Sequence, residues 1–259
     1  MPPSWGANAI LHPAKRASSE QPKRAHDEIS FTTEDGLTLK GWLFHGEGPR
    51  HGLIVYFHGI ANNRASGLWI ADKLVPKGWD MLMYDARAQG DSGGTVCTYG
   101  ILEKRDLARA LDAVKADRAI LFGHSLGAAV ALQAAAFDPR VKGVIAISSF
   151  RDLRTAAHDR APFFATEQQI TDAFALAEKE GHIAIDDASP LKAAAGIHAP
   201  VLLIHGAGDG ETRPEHSQAI FEALREPKKL VLVDWAGHND VIARDQTWSE
   251  IDTWLAARQ

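Results

Sequence analysis

The segments ISFTT and LTLKGWLFH alternate apolar and polar positions on either side of Asp35-Gly36. Period-two alternation around an Asp-Gly dipeptide predicts an antiparallel hairpin at a sheet edge. The pattern then changes. GLIVYFHG is an unbroken β-branched and aromatic run that stops at Gly59, the mark of a strand buried on both faces. Beyond it, strand-like runs alternate with stretches of helical period. The strands are WDMLMYD, RAILFG, VKGVIAIS, VLLIHG and KLVLVD; the helices fall near residues 65–75, 99–115, after Ser125, near 215–224 and near 247–257. Strands separated by helices of this length predict right-handed βαβ crossovers. The expected architecture is α/β, a mostly parallel central sheet flanked by helices.

Two stretches depart from the rhythm. Residues 1–28 carry Pro2, Pro3, Pro13 and Pro22 among a few apolar positions, which predicts an arm with little regular structure lying on the domain. Between Ser148 and Pro200 lie about 50 residues where one crossover needs far fewer. This segment has helical pieces broken by Pro162, Gly181 and Pro190, with Phe163, Phe164, Phe174 and Leu176 among them. It predicts a small helical cap at about 150–190 inserted into one domain spanning 29–259. The chain of 259 residues is near the upper end of what a single core supports.

Charge narrows the function classes. With 28 basic and 33 acidic side chains and a formal charge of −5, no basic field exists for nucleic acid or anionic lipid. Cys97 is the only cysteine. That excludes an internal disulfide and multi-cysteine zinc sites, and it fits a reduced cytosolic setting. The opening MPPSWGANAILHPAKR lacks a basic n-region and a continuous apolar run, so neither a signal peptide nor a membrane span is expected within it.

The strongest chemical signal is Gly123-His124-Ser125-Leu126-Gly127, set between the strand RAILFG and the helix LGAAVALQAAA. It matches G-x-S-x-G, in which the glycines let a sharp strand-to-helix turn close and the serine stands exposed at a helix N-terminus. There the helix dipole and free N–H groups favour developing negative charge. A serine hydroxyl needs a base to act as a nucleophile. Of twelve histidines, His238 in AGHND lies between the strand KLVLVD and the last helix, where a loop side chain reaches the top of the sheet. His58 and His205 each precede a glycine at a strand end and read as structural. For the acid, Asp209 lies just beyond VLLIHG and gives the chain order Ser, Asp, His expected of this turn. Asp85, Asp234 and Asp240 are the rivals. Asp85 closes the strand before DARAQGDSGG and reads as a loop tie. An oxyanion site needs two backbone N–H groups: Leu126, directly after the serine, supplies one, and Ile60, after Gly59, the other, with Ala61 as second choice.

YFHGIANNRASG, YDARAQGDSGG, GHSLG, LLIHGAGD and AGHND together resemble the motif set of the α/β-hydrolases, nearest to bacterial members of the serine aminopeptidase-like group. The likeness runs from about Ile29 to the C-terminus. It implies that Ser125, Asp209 and His238 form a catalytic triad and that Ile60 and Leu126 form the oxyanion site. A serine in this position differs from the cysteine of dienelactone hydrolases and the aspartate of dehalogenases. The cap is shorter than a lipase lid, and it holds no acidic pair suited to a substrate amine. The expectation is a carboxylic-ester hydrolase working through an acyl-enzyme on a small-molecule ester, with no cofactor or metal. A thioesterase or amidase, an acyltransferase, and an inactive binding module stand as the alternatives.

Overall fold

The structure is a computed structural model and describes residues 2–259. Eight strands form one sheet in the order β1-β2-β4-β3-β5-β6-β7-β8. The hairpin β1 (Asp27–Thr32) and β2 (Thr38–Phe44) is antiparallel, with Asp27 opposite Leu43 and Thr32 opposite Thr38. β2 pairs antiparallel with β4 (Trp79–Tyr84). From β4 onward the sheet is parallel through β3 (Gly52–Phe57), β5 (Ala119–His124), β6 (Val141–Ile147), β7 (Val201–Gly206) and β8 (Lys228–Val233).

The central strands read as unbroken apolar runs because both faces are covered. Along β5, Ile120 and Phe122 join a cluster with Trp42, Met81 and Trp248, while Leu121 joins the opposite cluster with Val55, Val144 and Leu203. Successive side chains of a strand point to opposite faces, so one strand feeds two cores. The first is covered by α2 (Leu68–Leu74) and α9 (Asp245–Ala256). The second is covered by α3 (Glu103–Ala113), α4 (Leu126–Phe137) and α8 (Glu215–Ala223). In α4 every residue from Leu126 to Ala135 is buried, and the alanines and Gly127 let the helix lie close on the sheet. The strand order turns between β3 and β5, and that turning point is where open α/β sheets leave a crevice beyond the strand C-termini.

The expected irregular arm is corrected by the structure: Pro3–Leu11 form a helix, α1. Proline breaks a helix in its interior, yet at the first helical position its missing N–H and fixed φ suit the turn. Ala7, Ile10 and Leu11 are buried, the i, i+3, i+4 face of a docked helix. Leu11 lies against Gly181, where an added Cβ would come 2.6 Å from Leu11 Cδ2. The C-terminal end of α1 is tied to the core, because Tyr99 Oη–H donates to the Ile10 carbonyl (2.7 Å) and Cys97 N–H to that of Leu11 (2.9 Å). Residues 12–26 carry no helix or strand.

The inserted segment is helical: α5 (Leu153–Asp159), α6 (Glu167–Gly181) and α7 (Pro190–Ala194), the last returning onto α4. Thr166 and Gln169 form a capping box that starts α6, which satisfies two orphan N–H groups at once. Phe174 is buried in the cap, whereas Phe163 and Phe164 are exposed. Among the described residues no helix is long and apolar enough to cross a membrane.

Candidate active site

Ser125 sits at φ 56°, ψ −119°, between the end of β5 and the first residue of α4. A non-glycine residue is strained in this region and is held there only by its surroundings. The two flanking glycines show how tight those surroundings are. A Cβ on Gly123 would lie 2.2 Å from the Gly127 carbonyl oxygen, and one on Gly127 would lie 2.1 Å from that of Phe57. Both approaches exclude any side chain.

The structure brings the predicted residues together. His238 Nε2 lies 2.9 Å from Ser125 Oγ, and His238 Nδ1 lies 2.7 Å from Asp209 Oδ2. The carboxylate sets the tautomer. Burial alone would raise the Asp209 pKa, but hydrogen bonds from the His205 and His238 rings and from Thr212 N–H hold it far below the usual carboxylate range. Ionised Asp209 only accepts, so Nδ1 carries the proton, and the Nε2 lone pair faces Ser125 to receive its O–H. Asp209 is itself fixed, since its Oδ1 takes N–H bonds from Glu211 (2.9 Å) and Thr212 (2.8 Å).

Of the rival carboxylates, Asp234 is exposed at the surface and the other two are occupied elsewhere. Asp240 accepts from Gly237 N–H and pairs with Arg244 at the surface. Asp85, fully buried, accepts the Arg64 backbone N–H, the Arg64 guanidinium and the Asp91 N–H, and so ties down the loops after β3 and β4. His58 is held as a neutral ring, donating from Nδ1 to the Gly59 carbonyl while Nε2 accepts Ala86 N–H; burial pushes its pKa down.

Leu126 N–H is the first orphan donor of α4. Above the serine, a Cβ on Gly59 would lie 3.7 Å from Ser125 Cβ, so the loop after β3 lies directly against the nucleophile. In that loop Ala61, at φ 55°, donates its N–H to Gln89 Oε1 (2.7 Å), whereas Ile60 N–H meets no protein acceptor among the described residues. This separates the two donors that the sequence left as first and second choice. Gln89 was missed. Its signal was faint, a polar residue inside the glycine-rich DARAQGDSGG that the fold buries completely.

His205 also proves more than a strand-top residue. Its Nε2 lies 2.7 Å from the Thr212 carbonyl and 3.2 Å from Asp209 Oδ2. The Nε2 proton is donated to the Thr212 carbonyl, and the polar edge of the same ring faces Asp209, which favours the ionised acid.

An apolar cavity of about 260 Å³ opens beside Ile60. Phe150, Leu153 and Phe174 line it from the cap side, and Tyr99 from the core. Trp5, Gly6, Ala9 and Ile10 of α1 also line it. Arg160 is the one charged residue on its wall, and the guanidinium is held by the Thr212 hydroxyl (2.8 Å) and the Glu211 carbonyl. Among the described residues no group of three or more His, Cys, Asp and Glu is placed to hold a metal ion.

The chain can be compared with known proteins. Residues 150–239 match the X-Pro dipeptidyl-peptidase (S15) family. The chain is 28% identical to uncharacterized protein YfhR of Escherichia coli (strain K12), with 93% of this chain and 83% of that protein covered. It is 26% identical to polyketide transferase ATR5 of Stachybotrys chlorohalonatus, covering 84% and 91%. Its fold superimposes on Pyrococcus furiosus esterase Pf2001 with a TM-score of 0.78, 22% identity and coverage of 95% and 98%. The acetyl xylan esterase of Paenibacillus sp. R4 gives a TM-score of 0.69, 20% identity and coverage of 98% and 92%. Residues 52–182, half of the chain, match the alpha/beta hydrolase fold family, and the chain belongs to that family.

Proposed function

We propose that this hydrolase is a serine carboxylesterase in which Ser125 is the nucleophile, His238 the general base and Asp209 the acid that orients the histidine. The observation that carries the reading is the continuous line from Ser125 Oγ through His238 to Asp209, with hydrogen bonds of 2.9 and 2.7 Å. His238 Nε2 takes the serine proton as Oγ bonds to the ester carbonyl carbon. The oxyanion is received by the Ile60 and Leu126 N–H groups, which meet no protein acceptor among the described residues. His238 then protonates the departing alcohol as its C–O bond breaks. Water, deprotonated by the same nitrogen, attacks the acyl-enzyme, and the carboxylic acid leaves with Ser125 restored.

The small-molecule ester is the substrate, and the residues named need no cofactor for this chemistry. A low net negative charge gives no support to a nucleic-acid partner. A soluble cytoplasmic setting is the reading that the single buried Cys97 supports.

Transfer of the acyl group to an alcohol instead of water is the second reading, favoured by the likeness to a polyketide transferase. Both are tested with p-nitrophenyl esters from acetate to laurate, on wild type and Ser125→Ala. The expected result is turnover by wild type, loss of at least about a thousandfold in the variant, and fluorophosphonate labelling of wild type alone. Ester product formed with an added alcohol, in place of free acid, identifies the transferase. Equal activity in the variant, or no labelling and no turnover by wild type, overturns the assignment.

A further inference from the structure

The mechanism uses the strand-end loops and leaves α1 unexplained. This helix precedes the sheet in the chain, yet it packs on the cap, with Leu11 on Gly181, and is tied to the core through Tyr99 and Cys97. The positions of α1 are not equivalent. Trp5, Gly6, Ala9 and Ile10 face the apolar cavity that opens beside Ile60, while Asn8 does not line it.

We propose that α1 is a wall of the substrate site, and that Gly6 and Ala9 on its inner face set the size of the apolar group the enzyme accepts. The inference rests on the esterase reading above and names its substrate class: esters with one extended, uncharged apolar arm.

Three observations carry it. Ile60, the proposed oxyanion donor, is one wall of the cavity, and the preceding Gly59 lies against Ser125, so a substrate whose carbonyl is held at the serine has this space next to it for an arm. The lining is apolar save Arg160, so a cationic or strongly hydrated arm would lose its water without gaining partners. On α1 the two positions between Trp5 and Ile10 that face the cavity carry the smallest side chains. Bulk added there fills the cavity rather than the core, since Ala9 is exposed to solvent and the helix docks through Ala7, Ile10 and Leu11. Trp5, 56% exposed, closes the outer rim.

Either the acyl chain or the alcohol of the ester occupies this space, and two ester series separate them. The first varies the acyl chain of p-nitrophenyl esters; the second varies the alcohol of acetate esters. Each is measured on wild type, Ala9→Trp and Asn8→Trp, the last placing the same bulk on the outward face of α1. In an apolar pocket each methylene is worth roughly tenfold in kcat/KM. The expected result for Ala9→Trp is an optimum moved to a shorter arm, with about tenfold or greater loss on the longest ester and less than about twofold change on the shortest. Asn8→Trp should leave the profile in place. The series that responds identifies the arm. An unchanged profile in both series, with turnover intact, overturns the role of α1 and leaves the esterase standing. A uniform loss across all chain lengths in Ala9→Trp also overturns it, because that is damage to the fold. No turnover by wild type on either series fails the esterase reading, and the inference with it.

Discussion

His205 Nε2 lies 3.2 Å from the same Asp209 oxygen that receives the His238 Nδ1–H at 2.7 Å. The acid is thus held by the His238 ring and two backbone N–H groups, with the polar edge of a second imidazole against it. Replacing His205 by Leu removes that edge and leaves the buried Thr212 carbonyl without its donor, a loss of about 1–3 kcal/mol. The expected outcome is a fall in kcat of roughly 10- to 100-fold with KM within about twofold, because the loss falls on the geometry of His238 and leaves the pocket intact. His205→Asn, which keeps a donor, should recover part of it. Steady-state kinetics on one p-nitrophenyl ester decides this, and equal KM and kcat effects would refute it.

His124 joins the nucleophile loop to the histidine loop, since its Nε2–H donates to the His238 carbonyl (2.9 Å). Burial, opposed by the bond to that carbonyl, pulls its pKa down to about 4. A histidine free in the unfolded chain titrates near about 6.5. Between those values the unfolded state binds more protons, so the stability contributed is present above about pH 6.5 and lost as pH falls towards 4. Burial shifts His58 and His216 in the same direction. His124→Gln should therefore flatten this acid slope without abolishing it. Urea midpoints near neutrality and at about pH 4.5 measure it, and a slope as steep as in wild type would exclude His124 as a contributor.

Asp85 is fully buried against Arg64, whose guanidinium also lies 4.3 Å from the Trp42 ring centroid. Removing the carboxylate strands a cation in the interior, which costs about 3–5 kcal/mol. Asp91, 3.1 Å from the same guanidinium, takes up part of the charge, so Asp85→Ala should cost about 3 kcal/mol in denaturant unfolding. Fluorophosphonate labelling of the folded fraction should persist. An unchanged unfolding midpoint would show that Asp85 ties nothing down.

Much of the site was legible because its geometry leaves local marks. A turn as tight as the one at Ser125 admits only glycine at 123 and 127, and the strands on either side are buried on both faces, so each appears as an apolar run. His238 and Asp209 could be found because strand ends in a parallel sheet deliver their loops to one edge. Gln89 and the second role of His205 leave no comparable mark. Gln89 acts through one side-chain contact with Ala61, 28 residues away, and His205 meets Asp209, four residues on, only because the loop after β7 folds back on its own strand, which no residue pattern marks. The helix at Pro3–Leu11 was hidden for a different reason. Proline signals a break everywhere except in the first helical turn, and the apolar face of so short a helix has meaning only once the cap exists to receive it.

That dependence has a consequence for how the chain assembles. The surface that α1 needs is made by Cys97, Tyr99 and Gly181, which lie far along the chain from Leu11. Contacts of such sequence separation close large loops, whose entropy only the rest of the folded chain offsets. A nine-residue helix alone in water is also too short to persist. The wall of the cavity therefore has no stability of its own and exists only while the loop after β4 and the cap are assembled to receive it.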